Sequence, residues 1–331
     1  MAELLLGTAS WTDKPLIEGG RFYPPEAKSA EARLRHYATQ FPLVEVDAPY
    51  YGLPTVEQAQ RWVERTPAGF TFDVKAYSLF TEHPTPVARL PKAIQAEMPP
   101  VLVGKAQFYR RDAPSDLVDL CWATYTDALL PLHDAGKLGA IVLQFPKWVT
   151  PNRGTFAYLE EVRERLGHYR GAIEFRNARW LDAEHQESTL ALLGDLGLAL
   201  ICVDEPQGFE SSVPPVAAAT TDLAFVRFHG RNAAMWEART RTSSERFDYW
   251  YEGPELDEWV PRIRALANKA QAVHLVVNTN NFDQGPGNAH LLSQRLAAAG
   301  MVTRPGFEAS EAASTPVPAG PSESTSQGQL L

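Results

Sequence analysis

Glu174 and Arg176 stand two residues apart in the segment GAIEFRNARW, an acid and a base inside a run that otherwise reads as a buried β-strand. Residues two apart in a strand share a face, so both side chains point the same way. A carboxylate beside a guanidinium can hold an oxyanion and move a proton. It can equally be a salt bridge that locks the strands and does no chemistry. The same step of two recurs in other apolar runs: Glu45 with Asp47, Asp73 with Lys75, Cys202 with Asp204, Arg227 with His229 and Arg231, and Asn278 with Asn280. If these faces looked outward, each charge would lie under an apolar helix layer, which is costly for an unpaired ion, so a shared interior pocket is the cheaper placement.

Such a pocket suggests roles. Arg176, Arg227 and Arg231 supply planar forks for a carboxylate or phosphate, and Asn280 lines the same mouth. Glu174, Asp204 and His229 are the candidates for moving protons. Lys75 offers a different chemistry, a Schiff base with a carbonyl substrate, for which its amine would have to be neutral. Asp47, paired with Glu45 or Asp204, could act as a base or hold a divalent metal such as Mg or Mn; no other cofactor is indicated. Trp11 and Tyr51 fall in loops after the first and second strands and could stack on a planar or sugar ring. There is no GxxxxGK[ST], no GxGxxG after a strand, no HExxH and no GxSxG, so nucleotide-hydrolysing, dinucleotide-binding, zincin and α/β-hydrolase readings drop out.

Positioning these residues requires many strands converging on one mouth. Apolar runs rich in β-formers begin at Leu4, Leu43, Phe70, Ala140, Ala172, Leu198, Leu223 and Val273, which makes eight. Helical patterns lie between most of them, including SAEARLRHYATQF, TVEQAQRWVERTP, TFAYLEEVRERLG, STLALLGDLG and ELDEWVPRIRALANKA. Gly167 and Gly197 close two of these where a left-handed cap suits glycine. The alternation predicts α/β architecture: a single (β/α)8 TIM-type barrel, with a doubly wound open sheet as the competitor. Residues 1–302 form that domain. An insertion at 78–139 separates the third and fourth strands. Its second half carries a helical pattern with Ser115 as N-cap, and its first half, 78–112, reads as a solvated loop or a lid. Residues 303–331, rich in Pro, Ser, Gly and Ala, are expected to be disordered.

Composition bounds the partners. Hydrophobic residues make up 44% and charged residues 21% of the 331, ordinary values for a globular protein with a large core. The formal net charge of −9 argues against broad nonspecific binding to nucleic acid or anionic lipid. Cys121 and Cys202 are far apart and form no CxxC, so neither a disulfide framework nor a structural zinc site is expected. No apolar run reaches membrane-spanning length and the N-terminus lacks a leader pattern, which predicts a cytoplasmic protein with no membrane partner. The oligomeric state is left open.

The ordered series GTASW, FYP, VEVDAPYYGLP, ERTPAGFTFDVKA, KLGAIVLQFP, IEFRNARWL, VDEP, VRFHGRN and ERFDYWYEGPELDEW resembles the YecE-like family, the domain of unknown function seventy-two. The resemblance runs in register from about Leu4 to Ala299. It implies a TIM barrel with no assigned reaction, and pocket positions at Trp11, Glu45, Tyr51, Lys75, Gln144, Glu174, Arg176, Asp204, Arg227, His229 and Arg231. The chain departs from the family pattern at Asp47 and Ala48, where relatives carry an asparagine and a small hydroxyl residue. It departs again in NTNNFDQGPGNA after the last strand. The leading reading is an enzyme of hydrolase-like, acid-base type acting on a small anionic substrate, phosphorylated compounds and nucleic-acid fragments included. A lyase using Lys75 and a noncatalytic ligand-binding or adaptor protein are the alternatives.

Overall fold

The computed structural model describes residues 2–96, 98–239, 243–309 and 311. All eight expected runs become strands: β1 (Glu3–Ala9), β2 (Leu43–Val46), β3 (Thr71–Lys75), β4 (Leu138–Phe145), β5 (Gly171–Phe175), β6 (Ala199–Asp204), β7 (Leu223–Phe228) and β8 (Ala272–Val277). They pair in chain order, all parallel, and β8 closes on β1 with Leu5 beside His274. Most positions are buried on both faces because the inner face fills the barrel and the outer face lies under helices, which is why the strands read as continuous apolar runs. At the floor of the barrel a polar pair interrupts the aliphatic filling: His274 Nδ1 lies 2.9 Å from Asp73 Oδ2, and the Ala140 amide donates to Asp73 Oδ1 at 2.9 Å.

The outer layer contains α1 (Ala30–Gln40), α2 (Val56–Glu64), α3 (Ser115–Asp134), α4 (Arg153–Leu166), α5 (Gln186–Asp195), α6 (Val260–Ala267) and α7 (Gln284–Ala298). Local chemistry sets their starts. Ser29 caps α1 by accepting from the Ala32 amide, Thr55 and Gln58 form a reciprocal capping box on α2, and Asn152 caps α4 by accepting from Thr155. Gly197 follows its helix at φ 64°, the left-handed region expected of it, whereas Gly167 has φ 55° with ψ −115° and is not a left-handed helical cap. Helix α3 begins at Ser115 itself with Pro114 before it, one residue earlier than a Ser115 cap would place it. The connection from β6 to β7, residues 205–222, contains no helix and is punctuated by Pro206, Pro214 and Pro215. Helix α7 escapes sequence periodicity because its first turn is Gln-Gly-Pro-Gly; a proline there lacks only an amide that would have no intrahelical partner.

Two expectations need correction. The segment 78–112 is not a solvated loop: Leu79, Phe80, Leu90, Ile94, Leu102 and Phe108 are buried, and Phe80 stacks on Trp122 of α3 at 3.8 Å. A short antiparallel clasp, Thr85 beside Phe108, ties its ends together. The chain also remains docked beyond Thr303. Arg304 donates its amide to Leu4 at 2.8 Å and Phe307 to Ala38 at 2.9 Å, while the Phe307 ring packs against Phe70. The remainder of the expected tail, 312–331, lies outside the described residues. Among the described residues no helix is long and apolar enough to cross a membrane.

Candidate functional site

Strand register decides which charges meet. Gln144 lies beside Glu174, Val203 beside Arg227, and Arg227 beside Val276, so alternation sends Gln144, Glu174, Arg176, Val203, Glu205, Arg227, His229 and Asn278 to the barrel interior. At their centre Glu174 receives Arg227 on Oε2, and its Oε1 lies 2.5 Å from Arg176 Nε and 3.3 Å from His229 Nε2. Arg227 reaches Glu45 at 2.7 Å and Gln144 at 3.3 Å. Arg176 continues outward to Glu205 at 2.8 Å and approaches His229 Nε2 at 3.0 Å, and Asn278 holds His229 Nδ1 at 2.9 Å. In the neutral ring Nδ1 accepts from the Asn278 amide nitrogen, which leaves the Nε2 proton facing Glu174 Oε1.

The electrostatics separate the carboxyls. Burial alone would raise Glu174, but Arg176, Arg227 and His229 outweigh it and hold the group well below the usual carboxylate range. Burial wins for Glu45 and Glu205, each pushed up to about 8 against the pull of Arg227 and Arg176 respectively. Burial and the charge of Arg176 lower His229 to about 3, so its ring is neutral. Glu174, Arg227 and His229 are fully buried and cannot touch a ligand without rearrangement, whereas Arg176 retains a 10% exposed side chain at the top of the network. Of five guanidinium N–H groups on Arg176, three face Glu174, Glu205 and His229; one N–H on each terminal nitrogen remains.

Arg176 and Gln144 open into a cavity of 270 Å³ whose walls are Trp148, Trp236 and Phe247, with Lys147 and Arg246 at its edge. A second polar group lies on the β1–β3 side. Lys75 Nζ is 3.4 Å from Asp47 and 5.2 Å from the Tyr50 ring. Ser10, at φ 64°, turns the chain after β1 while its amide stays bonded to the Glu45 carbonyl. Asp13 follows in that loop; burial and the Asp47 charge raise it to about 7. His83, from the insertion, is lowered to about 3 by burial and by the charges of Lys75 and Arg176, so it lies within the field of both groups.

Several sequence-derived site residues stand elsewhere. Asp204 faces outward, where it receives Arg231, the Tyr251 hydroxyl at 2.6 Å and the Trp259 indole at 2.6 Å. Arg231 is held there by Asp204 and by Glu258 at 2.9 Å. The expectation that Asp204 and Arg231 belong with Glu174 is therefore corrected: one step along β6, Glu205 takes the inward place. Arg227 lies beneath the pocket, fully buried and bonded to Glu174, Glu45 and Gln144. Trp11 is 8% exposed and packs edge-on against Trp62 at 6.4 Å, whereas Tyr51 is open, in a separate groove of 580 Å³ with Trp62 and Arg89. Asn280 remains near the mouth, with a buried Oδ1 that has no hydrogen-bond partner among the described residues. Reading the sequence missed Asp13, Glu205, Trp236, Arg246 and Phe247. Glu205 had a sequence signal in its adjacency to Asp204, and Arg246 and Phe247 stand in the motif ERFDYWYEGPELDEW; Asp13 and Trp236 lie outside any periodic element.

Comparisons with known proteins agree with this architecture. The pattern described as "Protein of unknown function DUF72" matches residues 5–311. The UPF0759 protein YunF of Bacillus subtilis is 29% identical over 297 residues, 88% of this chain and 94% of that protein. A DUF72 family crystal structure from Enterococcus faecalis superposes with a TM-score of 0.72 at 26% identity, covering 89% of this chain and 95% of its own. One from Thermotoga maritima gives 0.69 at 25% identity, covering 89% and 99%.

Proposed function

The chain belongs to the DUF72 family, and we propose that its barrel mouth performs acid-base or hydrolytic chemistry on a small anionic substrate. The observation that carries this reading is Arg176, oriented by Glu174 and Glu205 and still presenting N–H groups to an open cavity. Preorganised donors of this kind stabilise negative charge because they need not reorient during reaction. Proton movement belongs to the other half of the mouth. A carboxyl near 7, Asp13, is suited to both giving and taking a proton at neutral pH, and it lies within the field of Asp47, which pairs with Lys75. Glu174 and His229, enclosed below, fix the position of Arg176.

A metal route finds weaker support in the donor set. Glu45 and Asp47 already face Arg227 and Lys75, and no group of three or more His, Cys, Asp or Glu suited to a metal occurs among the described residues. The lyase reading would have to break the Lys75–Asp47 pair first. A thermal-shift screen over phosphates, nucleotides, sugars and keto acids, with and without Mg²⁺ or Mn²⁺, tests the proposal. Oxyanions should raise the melting temperature of the parent without metal, and Arg176→Lys, which keeps the charge but loses the fork, should abolish the rise. Asp13→Asn should keep binding and lower turnover of the stabilising compound at least about 100-fold. Stabilisation by neutral sugars alone would overturn the reading, borohydride trapping of a keto acid on Lys75 would establish the lyase, and binding without turnover would favour a noncatalytic binder.

A further inference from the structure

The cavity above Arg176 is more specific than a generic anion site. Its second guanidinium, Arg246, has a buried Nε with no hydrogen-bond partner among the described residues. Burial and the facing charge of Arg176 disfavour its protonated form and outweigh the opposing pull of Glu237, whose carboxylate already pairs with Lys147 and Ser211. Two guanidiniums bordering one empty space repel each other unless an anion lies between them. The walls are aromatic and fixed in orientation. The Trp236 indole donates to Ser211 Oγ at 3.1 Å, and that hydroxyl donates to Glu237 at 2.8 Å. The Phe247 ring stands at 78° to Trp236 with centroids 6.2 Å apart, and Arg176 lies over the Trp236 ring at 5.2 Å. Trp148 forms the outer lip, its indole donating to the Glu82 carbonyl at 3.2 Å. At 270 Å³ the space lies just below the usual range for drug-sized ligands, room for one ring system and a small charged group.

Charge narrows the anion. With Glu45 and Glu205 raised to about 8, the neutral-pH interior sets Arg176 and Arg227 against one carboxylate, Glu174, leaving one positive charge; Arg246 adds a second. Lys147 is matched by Glu237 at 3.4 Å. A phosphate monoester carries about −1.5 to −2 at pH 7, whereas a carboxylate carries only one charge. Resting on the anion-binding reading above, we propose that this cavity takes the phosphate monoester of a planar ring compound, its phosphate between Arg176 and Arg246 and its ring against Trp236 and Phe247.

Titration calorimetry on the full chain with phenyl phosphate, cyclohexyl phosphate, benzoate and inorganic phosphate tests it. Phenyl phosphate should bind about tenfold tighter than cyclohexyl or inorganic phosphate, from ring stacking, and more tightly than benzoate. Arg246→Met should weaken phenyl phosphate at least about tenfold. Phe247→Leu should erase the preference for the planar ring while leaving inorganic phosphate unchanged. Arg246 lies at the cavity edge and Phe247 in its wall, and an unchanged melting temperature confirms that both variants remain folded. Equal affinity for phenyl and inorganic phosphate, a preference for benzoate, or unchanged binding by Arg246→Met overturns the substrate class and leaves the anion reading standing. If no oxyanion binds the parent, both fall.

Discussion

Two carboxylate-guanidinium clusters lie on opposite faces of the barrel wall, and they differ in how completely their donors are matched. On the outer face Asp204 accepts from Arg231, Tyr251 and Trp259, and Arg231 is further engaged by Glu258. The inner cluster is less completely matched: Glu174 Oε1 and the Nε of Arg176 and of Arg227 are close to opposite charges but lack a well-aligned hydrogen bond among the described residues, and Arg176 borders a cavity across from Arg246, whose Nε is also unmatched. A saturated cluster has nothing left for a ligand. An unsaturated one at a cavity is a site, because the missing partner is what binding supplies.

The largest test of that contrast is Arg227→Met. It leaves the buried Glu174 carboxylate without its enclosed cation and should cost about 3 to 5 kcal/mol in urea unfolding. The double change Glu174→Gln with Arg227→Met removes both charges and should recover most of that stability while weakening oxyanion binding, since Arg176 loses the carboxylate that orients it. A double variant that binds anions like the parent would make the inner cluster as purely structural as the outer one. Next in size is Asp204→Asn, expected to cost about 1.5 to 3 kcal/mol because charge-assisted bonds to Arg231 are lost while Tyr251 and Trp259 keep a weaker acceptor. Its anion affinity should equal the parent's, and a loss like that of Arg176→Lys would erase the distinction between the two faces.

The smallest effect per pH unit belongs to Glu205→Gln. Glu205 faces Arg176, Glu174, Asp204 and the Val213 amide, and its folded pKa lies above its unfolded one. The unfolded chain therefore releases the proton first as pH rises. The stability linked to this group is full below about pH 4.5 and declines until about pH 8. The parent should lose about 1.4 kcal/mol per pH unit in the middle of that window relative to Glu205→Gln. Equal slopes in the two proteins would show that Glu205 is ionised when folded, and the interior would then lack the positive charge assigned to it.

Much of the barrel was legible in the chain. Eight apolar runs became eight strands, and the period-two steps correctly joined Glu174, Arg176, Arg227 and His229. The same rule failed on β6, where Ala199, Ile201 and Val203 are as apolar as Leu200 and Cys202, so both faces are buried and hydrophobicity cannot set the phase. Period two alone points to Asp204 as the inward residue, whereas the structure turns Glu205 inward. The insertion read as solvated because its prolines and charges hide Leu79, Phe80 and Phe108, whose burial depends on α3 and α4 lying beneath them.

The sequence by itself determined the strand count, the closed α/β architecture and the presence of paired charges on strand faces, because these depend on period and composition within a few residues. Tertiary structure alone decided which charges saturate one another and which remain open. Phase on a doubly buried strand is set by its neighbours' register. The approach of Trp236, Arg246 and Phe247 to Arg176 is set by the path of a loop with no repeating pattern, fixed by hydrogen bonds such as Trp236 to Ser211 between residues 25 apart.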